Sequence, residues 1–187
     1  MRKKSHIALT TYLLNQLKDS GMQEHKFSFY LGSILPDIKP SFIYKRHEYS
    51  GTIEDTKKKV EELLKMNITK KRHGRKYYRG LGEVSHYLAD YFTFPHNTNY
   101  DEDMTAHIHY ENALKHGIRE HLKSIRHDPY KKVQLPSQKD IFEFVDKKHQ
   151  NFLKKKSNVE NDIQHIVEIN RQAIAAIEDL RKKVKSK

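Results

Sequence analysis

The sequence predicts an all-α fold, a single-domain multi-helix bundle. Apolar residues recur at spacings of three and four along most of the 187 residues. Only seven glycines and five prolines interrupt the chain. No segment alternates polar and apolar side chains as a half-buried strand does, and no internal repeat or domain linker is evident. A chain of this length fits one domain, 1–187, with room for a full core.

Ser5 can cap a first helix whose apolar face carries Ile7, Leu9, Leu13, Leu14 and Leu17, with Gly21 ending it. A second helix is expected from about Gln23 to Leu35, where Pro36 stops it. Pro36 to Gly51 holds two prolines and no clear period, and reads as a long loop. Asp55 to Met66 is a charged amphipathic third helix. Arg75 to about Phe92 is a fourth, with small and apolar residues over much of its surface. Asp101 to about Ile125 forms a fifth, with acids at its start where the helix dipole favours them, and His127-Asp128-Pro129 breaks it. Ser137 to Lys154 and Asn158 to Lys185 complete the bundle, the last helix carrying Ile163, Ile166, Val167, Ile169, Ala173, Ile174, Ile177 and Leu180.

Lysine and arginine outnumber acids 36 to 24, a formal charge of +12. Such a surface suits anionic partners (phosphates, nucleic acid or an anionic membrane face), although a merely lysine-rich protein looks the same. The basic end Arg181–Lys187 reads as a solvated helix terminus. There is no cysteine, which excludes disulfides and thiolate metal sites. Met1-Arg2-Lys3-Lys4 resembles the start of a signal peptide, but polar residues interrupt the following run and no cleavage site appears. No stretch is apolar enough to span a bilayer, so a cytoplasmic protein is expected.

The thirteen histidines are the chemical signal. Imidazole and carboxylate together suit zinc and similar cations. Residues i and i+4 share a helix face, which pairs His86 with Asp90, His107 with Glu111 and His116 with Glu120. Roughly two such pairs are expected by chance at this composition, so pairing alone decides nothing. His116 and Glu120 lie among Lys115, Arg119, His121 and Lys123, which reads as a solvated face. His86 lies beside Val84, Leu88 and Ala89, where a buried imidazole and carboxylate need either a metal or their own hydrogen bond. The loop residues Asp37 and His47, and His6 in the first helix, are unremarkable singly. Tyr44, Tyr91, Phe92 and Phe94 are close to these residues in sequence and read as core more readily than as a substrate platform.

Their order is informative. His6 is followed by Gly32-Ser33-Ile34-Leu35-Pro36-Asp37, His47, Ser85-His86-Tyr87-Leu88-Ala89-Asp90, Pro95-His96-Asn97, and His107 with Glu111. This series resembles the bacterial zinc-dependent phospholipase C family, whose helical fold is shared with single-strand-specific nucleases; the likeness covers about residues 5 to 115. The resemblance implies a phospholipase C/single-strand nuclease-like bundle with two or three zinc ions. It implies Asp37, His47, His86 and Asp90 on one ion and His96, His107 and Glu111 on a second. Asp90 would bridge to a third ion shared with His6. The family completes that third site with a processed N-terminal tryptophan; this chain begins Met1-Arg2-Lys3-Lys4-Ser5 and contains no tryptophan. The other eight histidines match no family ligand, and His127-Asp128 is set aside because Pro129 follows it at once.

The implied activity is that of a zinc-dependent phosphoric ester hydrolase, a phospholipase C-like phosphodiesterase using a metal-bound hydroxide, with Asp37 as the catalytic acid–base group. Its substrate would be anionic: a phospholipid, a nucleotide or a small phosphodiester, with peripheral membrane contact and no transmembrane segment. The competing readings are a non-enzymatic basic helical module that binds nucleic acid or anionic lipid, and a vestigial, structural metal site.

Overall fold

The computed structural model describes residues 1–17, 21–38, 48–68, 70–97, 103–126, 131–155 and 158–185. The fold is all-α. Its helices are α1 (Lys3–Gln16), α2 (Lys26–Ile34), α3 (Tyr49–Lys65), α4 (Lys71–Tyr91), α5 (Met104–Ser124), α6 (Gln138–Leu153) and α7 (Val159–Lys185), with a 3-10 turn at Phe94–His96 between α4 and α5. Among the described residues there is no strand.

Helix α4 is the hub, packing against α1, α2, α3 and α7. Tyr77, Leu81, Val84, Leu88, Ala89 and Tyr91 are fully or almost fully buried. Its glycines govern the approach of α2. A Cβ on Gly82 would sit 2.4 Å from the Phe29 carbonyl oxygen, and one on Gly32 would sit 1.9 Å from that of Arg79. The two backbones therefore touch, which only glycine permits. Helix α7 lies against α4 and α5 through Ile163, Ile166, Ile169, Ala173, Ile174 and Ile177. Buried polar groups fix its register: Ser85 donates to Asn170 at 2.8 Å, and Tyr77 donates to Glu178 at 2.6 Å.

Several boundaries differ from the sequence reading, for tertiary reasons. Ser5 does not cap α1: the N-cap position is Arg2, and Ser5 is buried one turn inside the helix. Helix α3 begins at Tyr49 rather than Asp55. Its first turns are held by contacts invisible to local pattern: Tyr49 stacks on His149 at 3.8 Å, and Thr52 donates to the Tyr91 hydroxyl at 3.0 Å. The loop expected over Pro36–Gly51 is correspondingly shorter at its C-terminal end. Helix α4 begins at Lys71, four residues before Arg75. Ile7, expected on the apolar face of α1, is 40% exposed, whereas Leu9, Leu13 and Leu14 are buried. Arg181 is not a solvated end residue: it is buried, and its guanidinium lies 3.3 Å from Glu178 Oε2. Helix α5 begins at Met104 rather than Asp101, and α6 at Gln138; the side chains of their N-cap residues, Asp103 and Ser137, accept the backbone N–H of Ala106 and Asp140.

Candidate metal centre

Seven of the eight candidate residues come together at one end of α4. The eighth, His47, is outside the described residues, as are Tyr44 and His127-Asp128. On α4, His86 and Asp90 are one turn apart and wholly buried, with His86 Nε2 3.1 Å from Asp90 Oδ2. From α1, the His6 ring stacks on the His86 ring at 3.9 Å, and its Nε2 lies 3.4 Å from Asp90 Oδ1. Asp37, in the turn that follows α2, places Oδ1 3.6 Å from His86 Nε2. His96, in the 3-10 turn, brings Nδ1 to 3.6 Å from Asp90 Oδ2. On α5, His107 Nε2 is 3.7 Å from Glu111 Oε1.

Met1 and Arg2 join the two halves of this cluster; the spacing of Met1 from His6 allows its amine to reach the site, whereas nothing in the sequence places Arg2 there. The Met1 amine donates to Asp90 Oδ1 at 2.9 Å, lies 3.1 Å from His96 Nε2, and is 3.9 Å from Glu111 Oε1. Arg2 donates to Glu111 Oε2 at 3.1 Å and to Asn112 at 2.7 Å. Asp90 thus divides its carboxylate: Oδ1 faces His6 and the Met1 amine, while Oδ2 faces His86 and His96. A carboxylate used on both edges is the arrangement required of a bridging ligand.

The electrostatics favour ligand forms. Burial alone would raise the Asp90 carboxyl, but the Met1 ammonium and the imidazoles of His86, His96 and His6 outweigh it and hold the group well below the usual carboxylate range. Burial, reinforced by the neighbouring His86, lowers His6 from 6.5 to about 3, so its imidazole is neutral at physiological pH. The Ser33 carbonyl can only accept, so the 2.9 Å contact at His86 Nδ1 fixes the proton there. With Nδ1 so engaged, Nε2 is the atom His86 presents to the carboxylates of Asp37 and Asp90. His6 Nε2 is buried with no hydrogen-bond partner. Lone pairs converging on carboxylate oxygens repel unless a cation or proton lies between them, and the backbone-oriented imidazole is a recurrent feature of metal sites. The ligand atoms of His6, His86 and Asp90 all lie within 4.8 Å of one another and could hold a metal ion. The donor set, all imidazole nitrogen and carboxylate oxygen, fits zinc.

The cluster floors a cleft of about 640 Å³ lined by Met1, Asp37, His96, His107 and Glu111, with Arg2, Lys3, Lys4 and Lys115 around it. The aromatic residues near the ligands in sequence fall as the core reading expects: Tyr91 and Phe92 are fully buried, and Phe94 is half-buried.

A buried support holds the turn that carries His96. Asn97 donates to the carbonyls of Tyr91 and Thr93 at 3.2 and 3.0 Å, which leaves its Oδ1 to accept from His149 Nε2 at 2.8 Å. Phe94 N–H donates to Asp162, which also takes the Tyr110 hydroxyl. His149 was unassigned from sequence; the only signal near it is its place on the apolar face of α6. Burial lowers its imidazole from 6.5 to about 4. The unfolded chain therefore takes up this proton first, so stability from the group is complete above pH 6.5 and declines as pH falls toward 4. In urea unfolding between about pH 7.5 and about pH 5, wild type is expected to lose about 2 kcal/mol more than His149→Gln. Equal losses would show that His149 is not the titrating group.

An all-helical protein with a buried imidazole–carboxylate cluster beneath a basic cleft belongs to the class of candidate metallohydrolases. Comparison with known families is specific: the model of the zinc-dependent phospholipase C family matches residues 5–159, and the chain belongs to that family. The match extends past the 5–115 region of likeness through the whole of α6 to the first residue of α7. No curated protein and no solved structure matches. No helix among the described residues is long and apolar enough to cross a membrane.

Proposed function

We propose that the protein is a zinc-dependent phosphoric ester hydrolase of phospholipase C type, acting on phosphodiesters of phospholipids or of smaller anionic esters. The observation that carries this reading is the divided carboxylate of Asp90, shared between His6 and the Met1 amine on one edge and His86 and His96 on the other, at the floor of a cation-rimmed cleft. The proposed ligands are His6, Asp37, His47, His86, Asp90, His96, His107 and Glu111, for two or three ions. The Met1 amine sits where it can complete the His6 side of the set. Zinc bound there supplies Lewis acidity, which polarises phosphoryl oxygens and activates water.

The chain's own groups supply the rest. Lys3, Lys4 and Lys115, around the cleft, attract the phosphate and set its approach. Arg2, held by Glu111 and Asn112, keeps Glu111 oriented toward His107. Asp37 lines the cleft and is only 12% exposed. Its carboxylate orients the attacking water and accepts a proton at Oδ. Ser33 holds His86 in the tautomer whose Nε2 faces the cluster.

Two measurements test the reading. Elemental analysis of protein purified without an N-terminal tag or histidine tag should give two or three zinc ions per chain. Hydrolysis of a chromogenic phosphodiester should be abolished by chelation and by Asp37→Asn, with the helical circular dichroism of the variant retained. Full turnover by metal-replete Asp37→Asn would remove Asp37 from the mechanism. Bound zinc without any turnover would favour a structural metal site.

A further inference from the structure

A second cationic surface lies away from the metal cluster, on the first half of α4. Arg72, Arg75, Lys76 and Arg79 recur there at helical spacing and are all exposed. None of the four pairs with a carboxylate among the described residues. They line a groove of about 690 Å³ with Leu31 from α2 and Met66 from the end of α3. The edge of α2 beside this groove is apolar and uncovered: Phe27 is 79% exposed and Leu31, one turn on, is 46% exposed. Ile38, in the turn that follows α2, is 52% exposed and is the chain neighbour of Asp37, which lines the metal cleft. Exposed apolar side chains therefore occur on α2 at Phe27 and Leu31 and again in the turn that leads into the candidate metal centre. The opposite face of α2 is sealed against α4 by Phe29, Gly32 and Ser33.

We infer that this edge of α2, flanked by the four cations of α4, is a docking surface for an anionic phospholipid bilayer. Large apolar side chains exposed in a line beside unneutralised arginines match the two components of such a surface, acyl chains and negative headgroups. Isolated exposed apolar residues are common, but an aligned set rimmed by one sign of charge marks an interaction site. Charge complementarity excludes a neutral or cationic surface, and the apolar stripe is what a purely electrostatic nucleic-acid face would lack. Docking here sets the bilayer beside Ile38 and Asp37, so that a lipid phosphate has a short path to the cleft. The inference concerns the partner surface and does not require turnover.

The test is sedimentation of the full chain with vesicles of phosphatidylcholine alone and with about 30% phosphatidylglycerol. Binding is expected only to the anionic vesicles and should weaken with salt. Two variants, Phe27→Ser/Leu31→Ser and Arg72→Gln/Arg75→Gln/Lys76→Gln, should each weaken it by at least about tenfold. Lys139→Gln, at an exposed position on α6, should not. Both α2 and α4 variants should still hydrolyse a small water-soluble phosphodiester at the wild-type rate, which also verifies their folding. Vesicle binding unchanged in both variants, or equal binding to neutral vesicles, overturns the inference. So does preference for an RNA or DNA oligonucleotide over anionic vesicles. Vesicle binding without hydrolysis of any ester would instead overturn the proposed chemistry and leave the docking surface standing.

Discussion

Asp90→Asn is expected to strip the protein of most of its zinc and to eliminate phosphodiester hydrolysis while the helical bundle persists. Asp90 is a wholly buried carboxylate whose two oxygens serve different neighbours, His6 and the Met1 amine on one edge, His86 and His96 on the other. Replacing one oxygen by an amide removes a full negative charge and turns an acceptor edge into a donor edge. Either Nδ2 faces His86 and His96, or it faces His6 and the Met1 amine; neither set then shares an anionic bridge. Loss of a group that merely orients a metal ligand costs roughly 10–100-fold in affinity or activity, so loss of a bridging ligand should exceed that. The measurement is zinc content per chain together with turnover. Retention of the full complement of metal would show that Asp90 is not a ligand. Asparagine is isosteric and α4 is anchored elsewhere by Tyr77, Ser85 and Tyr91, so the far-UV spectrum should be preserved.

Gly82→Ala should produce a large loss of stability from the smallest possible addition to a side chain. On an isolated helix this substitution is favourable by about 1 kcal/mol. Here the added methyl would meet backbone atoms at three points: Phe29 O at 2.4 Å, Ser33 N at 2.7 Å and Gly32 C at 2.9 Å. No rotamer relieves a clash between Cβ and backbone, so α2 must move off α4 as a body. The expected cost is about 3 kcal/mol or more, at the upper end for overpacking, which corresponds to a fall in Tm of roughly 10 °C for a chain of this size. The displacement should also be felt at the site, because the Ser33 carbonyl that holds His86 Nδ1 travels with α2. Reduced zinc affinity alongside the lower Tm, measured by calorimetry and metal titration, is therefore expected. A Tm equal to wild type would mean that the two helices are less tightly apposed than the structure shows.

These two residues illustrate different degrees of legibility. Asp90 stands four residues after His86, a spacing that local helical geometry converts directly into a shared face. Gly82 is an ordinary glycine in a helical pattern, and its role exists only because another backbone arrives against it. The same contrast separates His107 and Glu111, paired by one turn of α5, from Asp37 and His86, which are 3.6 Å apart across 49 positions of chain. His149 went unassigned for the second reason: its partners, Asn97 and Tyr49, lie on other elements.

Helical periodicity and the scarcity of breakers were enough to specify an all-α chain and most of its helices, because the forces that set a helix act within four residues. The order of histidines and acids was enough to point to the zinc-dependent phospholipase C family. The start of α3 at Tyr49, the burial of Glu178 against the hydroxyls of Tyr77 and Tyr78, and the docking of Arg2 on Glu111 were decided by tertiary structure alone. In each case the favourable term is burial, stacking or a hydrogen bond to a residue far away in sequence, and such a partner leaves no trace in the local pattern.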